Sequence, residues 1–234
     1  MVVIRLSMAL SIMLAGVSFA IAGAQSQDPV CDATADYFLG AENYGEAITS
    51  HQRVLATHPA DALAHYHLGF AYGMTGDRQR EIDEYRKAAA LGLRRWDLYL
   101  NLGRALLENR DLTGATNALN TAIALAPEGP EAHFNLGLVY ERRGMLAAAT
   151  DELQTSLRLD PRQPDALNMM GLIYAEEGNY PRAREVWKGL ARTEPDFEPA
   201  RLNLAILDRL EAAPRDRTPA DHVPLRTAFA TETH

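Results

Sequence analysis

The sequence predicts an all-α fold, an array of antiparallel helix hairpins stacked as a solenoid, on three observations: a motif returning every 34 residues without insertion, apolar residues three and four apart within each unit, and turn residues at a fixed phase. The motif is read from Leu68-Gly69, Leu102-Gly103, Leu136-Gly137 and Met170-Gly171. Three residues past each Gly stand Tyr72, Leu106, Tyr140 and Tyr174; twelve past it, Glu81, Ala115, Ala149 and Ala183. Sixteen past it come Tyr85, Leu119, Leu153 and Trp187, and twenty-four past it Leu93, Pro127, Pro161 and Pro195. Leu68 with Tyr72, and Leu102 with Leu106, are four apart and share one helical face.

Taken in chain order, residues 1–24 differ from all that follow. Arg5, an apolar run from Leu6 to Ala22 and the triplet Ala22-Gly23-Ala24 form a secretory signal peptide, with cleavage expected after Ala24. The alternative is an uncleaved anchor, for which the run sits at the lower limit of a spanning helix. Cys31 is the sole cysteine, so the fold is expected to stand on apolar packing without an internal disulfide. Residues 28–61 form a degenerate first repeat, with Thr34-Ala35 at the Leu-Gly position, Phe38, Ala47 and Pro59. Terminal repeats deviate because one of their faces meets solvent.

Repeats two to five occupy residues 62–95, 96–129, 130–163 and 164–197. Gly76-Asp77, Asn109-Arg110-Asp111, Gly144-Met145 and Gly178-Asn179 stop the first helix of each, and Pro127, Pro161 and Pro195 follow the second. Repeat two departs twice. Glu81 stands where the pattern asks for Ala, a costly burial unless Arg78 or Arg80 pairs with it, and Gly92-Leu93-Arg94-Arg95 replaces the closing Pro. It is expected to be the least regular hairpin. Residues 198–212 form a capping helix with Leu202, Ile206 and Leu210 on one face. The Pro-punctuated segment 213–234 is expected to be a disordered tail.

The aromatic, Leu-Gly, Tyr, Ala, aromatic and Pro positions together resemble the tetratricopeptide repeat (TPR) family over residues 28–197. The resemblance implies a right-handed superhelix whose first helices line a concave, partner-binding groove. Its inward places hold Tyr66, His67, Phe70 and Met74 in repeat two, Leu100, Asn101 and Arg104 in repeat three, Phe134, Asn135, Leu138 and Arg142 in repeat four, and Asn168 and Met169 in repeat five. Asn101, Asn135 and Asn203 share one repeat position, with Asn168 adjacent to it. They are similar to the asparagine ladder of O-linked N-acetylglucosamine transferases, in which amides bond a peptide backbone. The competing reading is that Asn-Leu-Gly is a common spelling of the repeat. The two-carboxylate clamp of heat-shock co-chaperones does not fit, because Asp32 and Asp36 stand where it needs Lys and Asn.

Composition narrows function further. At 47% hydrophobic and a mean hydropathy of −0.22 the chain can bury a core. A net charge of −8 argues against a phosphate backbone as ligand, so nucleic acid is not an expected partner. Among seven histidines, His65 and His133 fall in packing positions of the repeat, and no motif for metal, phosphate or nucleophile occurs. No cofactor, metal site or catalytic residue is expected. The expected function is a periplasmic or secreted, non-catalytic adaptor or assembly factor that holds a peptide or helix of another protein and does not insert in the membrane after signal cleavage. By resemblance, exported relatives serve pilus assembly, cytochrome c maturation and secretion. A self-associating scaffold, a homo-oligomer with no peptide ligand, is the alternative.

Overall fold

The computed structural model describes residues 33–212. Eleven helices follow one another in this span: α1 (Ala33–Gly40), α2 (Tyr44–Thr57), α3 (Ala62–Met74), α4 (Arg78–Ala90), α5 (Trp96–Glu108), α6 (Leu112–Leu125), α7 (Pro130–Arg142), α8 (Leu146–Leu159), α9 (Pro164–Glu176), α10 (Tyr180–Thr193) and α11 (Glu198–Ala212). They pair as five hairpins, α1–α2 through α9–α10, with α11 closing the last. Contact is densest within hairpins two to five, and α2 packs more on α3 of the next hairpin than on α1 of its own. The fold is therefore an all-α solenoid in which each unit leans mainly on its neighbours.

Local signals fix the helix ends. Asn43, Asp61, Asp77, Asp111 and Asn179 cap α2, α3, α4, α6 and α10 with side-chain oxygens that accept from backbone N–H groups. Met145 occupies the matching place before α8 and makes no such bond. Between the helices of each hairpin the chain passes through a left-handed residue, Gly76 (φ 81), Gly144 (φ 73) and Gly178 (φ 74), with Glu42 (φ 56) and Arg110 (φ 63) bearing the same conformation in hairpins one and three.

The Leu-Gly motif has a direct steric explanation. A Cβ at Gly69, Gly103, Gly137 or Gly171 would stand 2.7, 2.6, 2.9 or 2.4 Å from Tyr85, Leu119, Leu153 or Trp187 respectively, the bulky residue sixteen positions on. Each missing side chain is thus the space that the partner helix fills, which brings two backbones close at native density. The core runs along the array from Tyr66 to Val139, through Leu153, Met170 and Ile173, to Trp187, Leu190 and Leu207.

Repeat two is not the irregular hairpin that its sequence suggested. α3 packs on α4 about as extensively as α5 on α6 or α7 on α8; α9–α10 is sparser, and α1–α2 is the sparsest hairpin of the described residues. The reason is Gly73, where a Cβ would come within 2.7 Å of the Glu81 carboxyl: the glycine vacates the volume that the carboxylate occupies. Arg78 then pairs with Glu81 and also with Glu108. The Gly92 turn (φ 91) joins α4 to α5 less tightly than α2 joins α3 or α6 joins α7, but α8–α9, which keeps Pro161, is sparser still. The leader, Cys31 and the tail lie outside the described residues. Among those described, no helix is long and apolar enough to cross a membrane.

Candidate groove and its polar network

The residues read as groove-lining divide into three groups. Phe70 and Met74 on α3 are 36% and 52% exposed, and Arg104 on α5 and Arg142 on α7 are exposed as well. His67, Asn101, Phe134, Leu138 and Met169 are half-buried. Tyr66, Leu100, Asn135, Asn168 and Asn203 are buried and offer a ligand little surface. Arg95 lies over the Tyr66 ring at 5.3 Å, and burial followed by the nearby Asp97 carboxylate pushes the phenol up to about 12.

The asparagines do not form a continuous ladder. Asn168 Oδ1 accepts from Trp187 Nε1 and from Asn203 Nδ2, both at 3.0 Å, inside the core of the last hairpin, where Asn203 is 0% exposed. Asn135 Nδ2 donates to the Glu131 carbonyl of its own helix at 2.7 Å. Only Asn101 stands near the surface, its Nδ2 3.4 Å from Tyr66 Oη. The register supplies the cause. Contacts between successive first helices run 35 residues apart, as in Tyr66–Asn101, Leu107–Arg142 and Asn168–Asn203, whereas the sequence repeats every 34. Equivalent asparagines are therefore offset from one another. Asn168 and Asn203 are corrected from groove to core, because a buried amide must be satisfied internally.

His65 and His133 sit within hairpins, as their repeat phase implies. His65 Nδ1 meets Glu84 Oε2 at 2.5 Å and its Nε2 faces the Pro59 carbonyl at 3.1 Å; His133 Nδ1 meets Glu152 Oε2 at 2.8 Å. Burial alone would raise the Glu84 carboxyl, but bonds from His65 and from Lys87 Nζ outweigh it and hold the group below its usual value. Glu81 goes the other way. Its burial dominates over the nearby Arg78 and raises it.

Between α3 and α5 these features enclose a hollow of about 130 Å³, lined by Phe70, Met74, Glu81, Asn101, Arg104 and Glu108 among others. Its rim is apolar on α3 and cationic at Arg104, with the ion pairs of Arg78 behind. Sequence reasoning found Phe70, Met74, Asn101 and Arg104 but missed Gly73, Arg78 and Glu108 as parts of the same wall. The available signal was the coincidence of Gly73 and Glu81 in one repeat, where repeats three and five have Leu107 with Ala115 and Ala175 with Ala183. A larger hollow of about 830 Å³ lies between the α8–α9 turn and α10, over Leu167, Val186 and Leu190, away from all the residues read as groove-lining.

Tetratricopeptide repeat models match residues 33–93 and 100–164, and a second such model matches 152–185. The chain belongs to the tetratricopeptide repeat family. Curated proteins give no match to it. Among solved structures, this tetratricopeptide repeat protein is similar to YrrB, described as a tetratricopeptide repeat protein with an unusual peptide-binding site, at 25% identity and a TM-score of 0.65, covering 71% of this chain and 86% of that one. It is similar to the MamA protein at 25% identity and a TM-score of 0.65, covering 70% and 89%. It is also similar to PilF of Pseudomonas aeruginosa at 27% identity and a TM-score of 0.65, covering 77% and 83%. As a tetratricopeptide repeat protein it is a protein-interaction module.

Proposed function

We propose that this module is a non-catalytic adaptor or assembly factor of a bacterial cell envelope that holds a peptide or helix of a partner protein against α3, α5 and α7. The observation that carries the reading is the hollow at the α3–α5 junction, where exposed Phe70 and Met74 stand beside exposed Arg104. Large apolar side chains held at the surface beside a cation favour an apolar anchor flanked by a carboxylate, the pattern of helix-in-groove or extended-peptide recognition. The peptide-binding site described for YrrB supports a ligand of the same kind here. The leader in residues 1–24 supports export, and with it the periplasm or the exterior as the place of work.

The test is retrieval of partners from envelope extract by the chain and by a Phe70→Asp, Arg104→Glu variant whose helicity is checked by circular dichroism. Partners retained by the chain and lost by the variant are the expected outcome; equal retrieval by both would defeat the groove assignment. One observation favours the scaffold reading as an alternative. Leu202 is 45% exposed on α11, at the open end of the array, where a second copy could add. Mass in solution across a concentration series, with and without residues 213–234, separates the two, since a concentration-dependent oligomer with no dependence on Phe70 or Arg104 belongs to the scaffold.

A further inference from the structure

The first repeat joins the second through three ligand-type side chains from three helices. Asp36 on α1, His51 on α2 and His67 on α3 each present one donor atom, and these atoms all lie within 4.8 Å of one another. Asp36 Oδ1 is 2.9 Å from His67 Nδ1, and the two imidazole rings stand 5.3 Å apart at 62°. His51 is 2% exposed, whereas the side chains of His67 and Asp36 keep 21% and 31%, so the cluster is walled on one side and open on the other.

The repeat pattern does not require these residue types. His51 occupies the place that Tyr85, Leu119, Leu153 and Trp187 take in the other hairpins, the bulky residue that fills the glycine notch. His67 stands where later repeats have Asn101, Asn135 and Met169, and Asp36 where they have Phe70, Arg104, Leu138 and Leu172. The fold thus accepts Leu at two of these places and Asn at the third. The one junction that departs at all three carries two imidazoles and a carboxylate, aimed together.

We propose that Asp36, His51 and His67 form a binding site for a divalent late transition ion of the zinc class. Two nitrogen donors and one carboxylate oxygen suit Zn²⁺, Cu²⁺ or Ni²⁺ and fall short of the oxygen-rich shells of Ca²⁺ and Mg²⁺. Ligand atoms in a tetrahedral site with bonds of about 2.0–2.1 Å stand about 3.3 Å apart, between the 2.9 Å of the Asp36–His67 pair and the 4.8 Å that bounds the cluster. Three protein ligands leave a position open on the exposed side, for water or for a donor from a bound chain. The ion would also fasten a weakly anchored cap, since Ala35 is the one buried residue of α1. The site stands independently of the groove reading.

The experiment is calorimetric titration of the tag-free chain with Zn²⁺ alone, alongside visible absorption with Co²⁺ alone. The other repeats supply replacements that the fold tolerates: His67→Asn, His51→Leu and Asp36→Leu. One ion per chain is expected, with affinity falling by about 100-fold or more in each variant, and no change in a His58→Ala control. Zn²⁺ is expected to raise the melting temperature of the chain and not of the three variants. An ion pair only, with no saturable binding by the chain or with binding that survives all three replacements, would overturn the proposal.

Discussion

The two ends of the array share one backbone plan and enclose different interiors. In the hairpins up to Leu91, the buried polar side chains include His51, Asp61, His65, Glu81 and Glu84; beyond that point they are Asn135, Ser156, Asn168 and Asn203. Every buried His, Asp or Glu among the described residues thus lies in the first two hairpins, and the later ones bury neutral groups alone. The place taken by His51 and Tyr85 in the first half is taken by Leu119, Leu153 and Trp187 in the second. A neutral amide such as Asn168, satisfied by Trp187 and Asn203, adds directional bonds to a core with little electrostatic cost. A buried carboxylate costs stability unless paired, and here Asp61 caps α3, Glu81 meets Arg78, and Glu84 meets His65 and Lys87. The C-terminal half buries neutral polar groups, and the N-terminal half buries titratable ones.

The largest expected effect tests the C-terminal half. Gly171→Ala would place a Cβ 2.4 Å from the Trp187 indole, which Asn168 holds in position, and is expected to cost about 3 kcal/mol in urea unfolding. Gly189→Ala in the same hairpin meets nothing within 4 Å and is expected to stabilise α10 by about 1 kcal/mol through helix propensity. If both changes cost the same, the glycine notch is not what sets the spacing of the hairpin.

In the charged half, Gly73→Ala would crowd the Glu81 carboxyl, the far end of a flexible side chain, and is expected to cost about 1 kcal/mol. Combined with Glu81→Ala it recreates the Ala175 and Ala183 pair of repeat five, and most of the loss should return. A double-mutant cycle with no coupling would separate Gly73 from Glu81. Met145→Asp, which supplies the cap that Asp77, Asp111 and Asn179 give to other hairpins, is expected to add about 1 kcal/mol to thermal stability at neutral pH.

The smallest prediction concerns sign. The Glu84 carboxyl is held low in the folded chain, so its contribution is present above its unfolded value of 4.5 and is lost as pH falls through the folded value. Glu84→Gln should flatten the acid limb of stability against pH. Glu81 is raised, so its contribution is present below 4.5 and is lost as pH rises through its folded value. Glu81→Gln should therefore raise the urea midpoint at pH 7 relative to pH 4, and a change in the opposite direction would refute the assignment of burial as the dominant influence.

What the sequence alone determined is everything governed by near neighbours. The 34-residue period and the hairpin turns at Gly76, Gly144 and Gly178 follow from spacing within one unit, whereas the seating of Tyr85 against Gly69 and of Trp187 against Gly171 came from the structure. Phe70, Met74 and Arg104 were legible as groove residues through the resemblance to the repeat family, whose pattern places them on the concave face. Tertiary structure decided whatever depends on how one unit sits against the next. Asn168 and Asn203 meet each other and Trp187 inside the last hairpin, in the core and not in the groove. Gly73 made room for Glu81, and three helices brought Asp36, His51 and His67 together. The physical reason is that a periodic pattern fixes each helix face, whereas the crossing of helices from different units fixes which faces meet.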